Sequence, residues 1–178
     1  PKGCRSGNVE VTIEGAVHSP LYLHGITDLK EWKKTIRNFP GPWAEIGSRK
    51  MIVTVPSRVI RKLDSPDKVA MAWDRIMDLD KELGGASCAK NRPARIVSDV
   101  QISAGDMHSG YPIMTHLDQI NNLANLDHLR KGNWGFFHEI GRNHQNGDWT
   151  FGGTGEVTVN LFSLYVFEFF CEKPVPIH

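Results

Sequence analysis

The chain has 178 residues, with 21 basic and 20 acidic side chains and a formal net charge of +1, so no charge excess marks it for nucleic acid or an anionic membrane surface. A hydrophobic share of 40% is enough for one sizeable core, no apolar run reaches membrane-spanning length, and no secretory leader is recognisable. Cys4, Cys88 and Cys171 are scattered and odd in number, which argues against a disulfide framework or a C-x-x-C metal knuckle and favours a reducing compartment.

In chain order, Val9–Gly15 alternates with the period of a half-buried strand, and Leu21–His24 is its expected partner across the Ser19-Pro20 turn. Thr27 is placed to cap a helix over Leu29–Asn38 with Leu29, Trp32 and Ile36 on one stripe, ended by Pro40 and Pro42. Met51–Val55 reads as a strand stopped by Pro56. Ser65-Pro66-Asp67 carries three helix-start signals: a hydroxyl cap, proline in the first turn and an acid at the positive end of the dipole. Val69, Ala72, Trp73, Ile76, Leu79 and Leu83 then recur at helical spacing up to Gly84-Gly85.

Arg95–Ser103 reads as a further strand, followed by a glycine-punctuated loop over Ala104–Pro112 and a mixed stretch to Asn125. Trp134, Phe136 and Phe137 lead into a helix containing His138, and Glu156–Phe170 is apolar enough and long enough for a buried helix. There are no repeats and no low-complexity tract. Strands, helix, strand and then helices predict an α+β domain with its site on the helical side. The working division is one domain over 1–178, with a strand and helix part at 1–57 and the remaining helices, strand and motif at 58–178.

Residues 138–145 read His-Glu-Ile-Gly-Arg-Asn-His-Gln, one substitution away from the zinc-peptidase pattern H-E-x-x-H. In that pattern two histidines four residues apart share a helix face and hold Zn²⁺, while the glutamate between them activates water. Here the second histidine is Arg142, whose guanidinium is permanently charged and has no lone pair for a metal. Positions 138 and 142 lie about 40° apart around a helix, so His138, Glu139 and Arg142 share a side. His144 falls about 120° from His138, a poor substitute ligand unless the helix ends early. Glu156, at the start of the next apolar segment, suits the third ligand of a His₂Glu site, and Asn160 one turn on is placed to orient it.

These residues, with Gly155-Glu156 and Asn160, resemble the enhancin-like, mucin-directed family of gluzincin metallopeptidases. Pro42-Trp43-Ala44-Glu45, Thr54-Val55-Pro56-Ser57, the stretch Asp99–Gly105 and the stretch Met107–Met114 resemble more closely the peptidase-like domain of the TRP-channel-associated factors. That group also carries arginine at the Arg142 position but glutamine at that of His144, where active peptidases have the histidine kept here. The resemblance runs from about Trp32 to Phe167. It implies a gluzincin (zincin-like) fold that would continue past residue 178 into a helical lobe, so the chain is expected to be the front part of such a domain.

On the closer resemblance the function implied is a scaffold, cytoplasmic and peripheral at the plasma membrane, that binds a TRP cation channel and regulates its delivery and gating. The wider family implies the alternative: a secreted zinc peptidase cleaving mucin-like glycoproteins. There His138 and Glu156 would be ligands and Glu139 the general base, with Tyr111 either an oxyanion donor or a packed loop tyrosine. On the first reading zinc is absent, and Arg142 takes over the metal's electrostatic part by pairing with Glu139 or Glu156. His108 and His116 read as hydrogen-bonded loop histidines, Trp134, Phe136 and Phe137 as core, and Asp148 and Trp149 as residues that order the loop between the two site helices. A carbohydrate-binding module ranks last, for want of an exposed aromatic pattern.

Overall fold

A computed structural model describes residues 7–8, 10–85 and 92–174. Its centre is a six-stranded mixed sheet in the order β1-β2-β3-β4-β6-β5. The strands are β1 (Leu21–Leu23), β2 (Trp43–Gly47), β3 (Met51–Pro56), β4 (Ala94–Asp99), β5 (Met107–His108) and β6 (Ile113–His116). β2 and β3 form an antiparallel hairpin, with β1 parallel to β2 on one side and β4 parallel to β3 on the other. β6 runs parallel to β4, and the short β5 closes that edge antiparallel, pairing Met107 with Thr115 and His108 with Met114.

Alternation sorts the sheet's two faces. Met51, Val53 and Val55 of β3, Ile96 of β4 and Ile113 of β6 are buried together against the helices. On the other face Glu45, Thr54 and Arg95 form a cross-strand row: Thr54 Oγ1 donates to Glu45 (3.0 Å), and Arg95 Nη1 donates to Thr54 Oγ1 (2.9 Å) and to Glu45.

On the apolar side lie α2 (Pro66–Gly84), α3 (Ile120–Leu123), α4 (Leu126–Lys131), α5 (Trp134–Arg142), α6 (Gly155–Thr158) and α7 (Asn160–Phe169), of which α2, α3 and α5 meet the strands while α7 packs on α2 and α5; α1 (Leu29–Lys34) lies near the other end of the sheet. Every α2 position named from its periodicity is buried except Leu83, which is partly so. Trp73 packs edge-on against Phe136 of α5 with centroids 5.9 Å apart, while its indole N–H is satisfied by Leu123 O at 3.0 Å. Trp32 is likewise fully buried, with its N–H on Leu63 O at 2.8 Å. The α+β class and the placement of the motif among helices agree with the sequence.

Several boundaries differ. Among the described residues of 9–15 there is no strand, and Val11 and Ile13 are exposed; alternation supplies two faces but no partner, and Leu21–Leu23 pairs with β2 instead. Val9 lies outside the described residues. Asp28, not Thr27, caps α1, its Oδ1 accepting from Lys30 N and Glu31 N at 2.9 Å, while Thr27 Oγ1 accepts from Leu23 N at 2.9 Å. The α helix stops at Lys34 and continues as a 3₁₀ turn over Ile36–Asn38. Ser65 stands at the start of α2 but makes no side-chain cap bond, leaving Pro66 and Asp67 as the effective start signals.

β4 ends at Asp99, four residues short of the expected limit. The Asp99 carboxylate accepts from Val100 N at 2.6 Å, a local turn that competes with the sheet ladder. β6 was not anticipated: Ile113-Met114-Thr115-His116 is too short, and too close to loop residues, for its alternation to stand out.

Candidate active site

The site is built where α5 and α7 cross beside the edge strand β5. α5 opens on Asn133, whose Oδ1 accepts from Phe136 N at 3.1 Å, and buries Phe136, Phe137, Ile140 and Gly141. Gly141 lets the helices approach: a Cβ there would meet Phe162 Cβ at 2.6 Å. The remaining face of α5, carrying His138, Glu139 and Arg142, is left towards solvent.

α5 ends at Arg142, where Asn143 N and His144 N bond Ile140 O and Gly141 O at 3.0 and 2.8 Å. The chain then loops to α6, held by Trp149 stacked on Phe162 with centroids 5.7 Å apart. Gln145 Nε2 donates at 2.7 Å to both Gly155 O and Thr158 Oγ1, tying the motif's last residue to the turn that carries Glu156.

Four of the expected residues meet Glu156 or one another directly. His138 Nε2 lies 3.1 Å from Glu156 Oε2, and His138 Nδ1 lies 3.2 Å from Asn160 Oδ1. Asn160 therefore orients the imidazole, not Glu156 as its spacing had implied. A carboxylate oxygen only accepts, so His138 donates its Nε2–H to Glu156 Oε2, and Asn160 meets the ring at its other nitrogen. Arg142 Nη1 donates to Glu156 Oε1, and Arg142 Nε is 3.9 Å from Glu139 Oε2.

The electrostatics follow from this contact pattern. The Arg142 guanidinium, first by its hydrogen bond and then by its charge, holds the Glu156 carboxyl below the usual carboxylate range. In return Glu156 raises the Arg142 pKa further. Glu139 is far more enclosed than Glu156, with side-chain exposures of 13% and 68%. It lines a groove of about 540 Å³ with Met107 of the edge strand, Gln119, Asn133 and Trp134.

Two expected residues stand elsewhere. Tyr111 lies under the Arg92 guanidinium, 3.4 Å from its ring centroid. His144 is turned to the opposite side of α5, 4% exposed, with Nδ1 on Ile140 O at 2.9 Å. His108 bonds Ser103 Oγ and Ser109 O at 3.0 and 2.9 Å, as a loop histidine. Two contributors had no assigned part in advance. Asn143 exchanges 3.0 Å bonds with Gly110 N and O, fixing the Ser109-Gly110-Tyr111 loop, and Gln145 positions Glu156. Both lie within the motif, which was the available signal.

A gluzincin metal site needs three protein donors with free lone pairs. His138 and Glu156 are within reach of each other, but the third place is taken by a guanidinium that occupies one Glu156 oxygen. Among the described residues no group of three His, Cys, Asp and Glu side chains is arranged to hold a metal ion. The residues present do not fit catalytic zinc.

Comparison with known proteins places the fold and the family. The sequence profile of peptidase M60, enhancin and enhancin-like, matches residues 15–176. Human TRPM8 channel-associated factor 1 is 45% identical over 170 residues, covering 94% of this chain and 18% of that protein. Mouse TRPM8 channel-associated factor 2 is also 45% identical over 170 residues, with the same coverage. The chain thus spans under a fifth of those relatives' length. Among solved structures, a conserved protein of unknown function from Bacillus anthracis str. Ames superposes with a TM-score of 0.74 at 27% identity, over 85% of this chain and 34% of that one. The catalytic module of the metalloprotease ZmpA from Clostridium perfringens superposes with a TM-score of 0.67 at 21% identity, over 87% and 34%, a likeness of fold.

Proposed function

The chain belongs to the peptidase M60 family, enhancin and enhancin-like, and within it we propose a peptidase-like domain that has given up catalytic zinc and serves as a binding scaffold. The observation that carries this reading is the Arg142–Glu156 ion pair. A divalent ion would neutralise the carboxylates at the helix crossing; the guanidinium now does so for Glu156 and partly for Glu139. The Glu139 carboxylate keeps its place beside the groove, but without a metal-polarised water it has nothing to activate at neutral pH.

The partner in this reading is a TRPM8-type cation channel, drawn from the names of the relatives, with regulation of its delivery and gating at the plasma membrane as the task. Among the described residues no helix is long and apolar enough to cross a membrane. Co-expression with the channel and affinity recovery tests it. The complex is expected to survive EDTA and a Glu139→Ala change; failure to recover the channel with the wild-type chain overturns it.

The persistence of His138, Glu139, Glu156 and Asn160 in one cluster favours a second reading, a zinc peptidase of mucin-like glycoproteins. It predicts EDTA-sensitive cleavage of an O-glycosylated peptide. The scaffold reading predicts none.

A further inference from the structure

α5 has a second occupied side. Opposite Glu139 and Arg142, a pocket of about 400 Å³ opens between α5, the C-terminal half of α2 and the starts of β3, β4 and β6. Arg49 and Lys50, just before β3, Lys81 in the last turn of α2 and Arg92, just before β4, line it, and no carboxylate is among its described lining residues. Its floor is apolar: Met77 of α2, Ile113 of β6 and Ile140 of α5.

The nearby acids are committed elsewhere. Asp78 receives Lys50 Nζ on both oxygens at 2.5 Å, and Asp74 accepts from Ser48 Oγ at 2.5 Å and from Lys50 N at 3.2 Å. Among the described residues Arg49, Lys81 and Arg92 have no carboxylate partner; Arg92 spends its contact on the Tyr111 ring. Three uncompensated cations facing one opening repel each other and focus a positive potential into it. A monocarboxylate would meet only part of that charge. A phosphate monoester brings about −1.5 to −2 and three acceptor oxygens, a match for two guanidinium forks and an ammonium. The volume falls within the usual range of about 300–1,000 Å³ for small-molecule pockets, and the apolar floor supplies a surface for a carbon skeleton.

We propose that this pocket binds an organic phosphate, with the phosphate on Arg49, Lys81 and Arg92 and the carbon body over Met77, Ile113 and Ile140. The site is separate from the His138–Glu156 cluster and does not depend on the scaffold reading. The same chemistry is offered by a free sugar phosphate and by a phospholipid headgroup.

The test is calorimetric titration of the chain with glucose 6-phosphate and inorganic pyrophosphate, beside co-sedimentation with phosphatidylcholine vesicles with and without phosphatidic acid. Binding should saturate at one site for the soluble probes if the source is free phosphate, or occur only with phosphatidic acid vesicles if it is a headgroup. In either case Lys81→Glu with Arg92→Glu should weaken it at least tenfold, and Lys34→Glu, an equal charge reversal on α1, should leave it unchanged. All three are exposed side chains, so the fold is not at stake. Absence of binding to every probe, or equal loss with Lys34→Glu, overturns the proposal.

Discussion

Arg142 reaches from the last turn of α5 to the carboxylate of Glu156 at the start of α6, and this contact joins the two segments that a gluzincin would join through its metal. Both partners are substantially exposed, and an exposed ion pair contributes only about 0–1 kcal/mol. Its importance is positional: it occupies the Glu156 oxygen and the space a ligand histidine would use.

Restoring the imidazole should therefore restore the metal. Arg142→His would place two histidines four residues apart on the α5 face, with Glu156 already 3.1 Å from His138. Equilibrium dialysis with elemental analysis should find one zinc per chain for the variant and none for the wild type. Nanomolar zinc retained by the wild-type chain would show that arginine does not block the site.

The pair should also be visible in the titration of Glu156. Its carboxyl is held below the usual range chiefly by the Arg142 hydrogen bond, so the contact is complete above the ordinary carboxylate range and is lost as pH falls through the depressed value. In Arg142→Gln the Glu156 midpoint, followed by side-chain NMR, should move upward towards that of an unpaired glutamate. An unchanged midpoint would mean that the pair does not persist in solution.

The helix crossing beneath the site rests on Gly141. In Gly141→Ala the added methyl would meet Phe162 Cβ at 2.6 Å and Val159 Cγ2 at 3.3 Å, in a region where Phe162 is fully buried. Overpacking of this kind costs about 1–3 kcal/mol, more than the gain in helix propensity from replacing glycine, about 1 kcal/mol. Thermal unfolding should show a lower midpoint. A raised midpoint would mean that α7 yields without cost.

How much of this could be read from the chain depends on the range of the interactions. α2 was legible because its signals are local: proline and an acid at the start, apolar residues at 3.6 spacing, glycines at the end. The shared face of His138, Glu139 and Arg142 was legible for the same reason. Short strands were not, since Val11 and Ile13 alternate without a partner while Ile113 and Thr115 find partners in β4 and β5. The partners of His138 and Gly110 were hidden too. Asn160 and Asn143 reach them only once α5 has settled on α7 and the loop before β6 has folded back.

Cys171, just past α7, is half-enclosed, and burial pushes its thiol from 9.0 up to about 11. Because the thiolate is the nucleophile, alkylation by iodoacetamide at pH 8 should run about a hundredfold slower than for an ordinary cysteine, the ratio set by that two-unit rise. Peptide mass spectrometry of the Cys171 fragment over time gives the rate in the native chain. A rate equal to that in urea would place the thiol in open solvent.

The last expectation concerns Asp80, on the inner face of α2. Its side chain is 0% exposed and, among the described residues, neither carboxylate oxygen has a hydrogen-bond partner; burial raises its pKa well above the usual aspartate range. The folded chain then holds a proton that the unfolded chain releases near pH 3.9. That contribution is complete below the unfolded value and erodes as pH rises through the folded one. Asp80→Asn keeps the shape and removes the titration. Its unfolding midpoint relative to wild type should therefore climb as pH rises from the unfolded aspartate value towards the raised folded one, the interval over which the wild-type chain pays for keeping its proton. A constant offset across that interval would mean that Asp80 ionises in the folded state at its ordinary pKa, with solvent or a cation reaching it inside the helical layer.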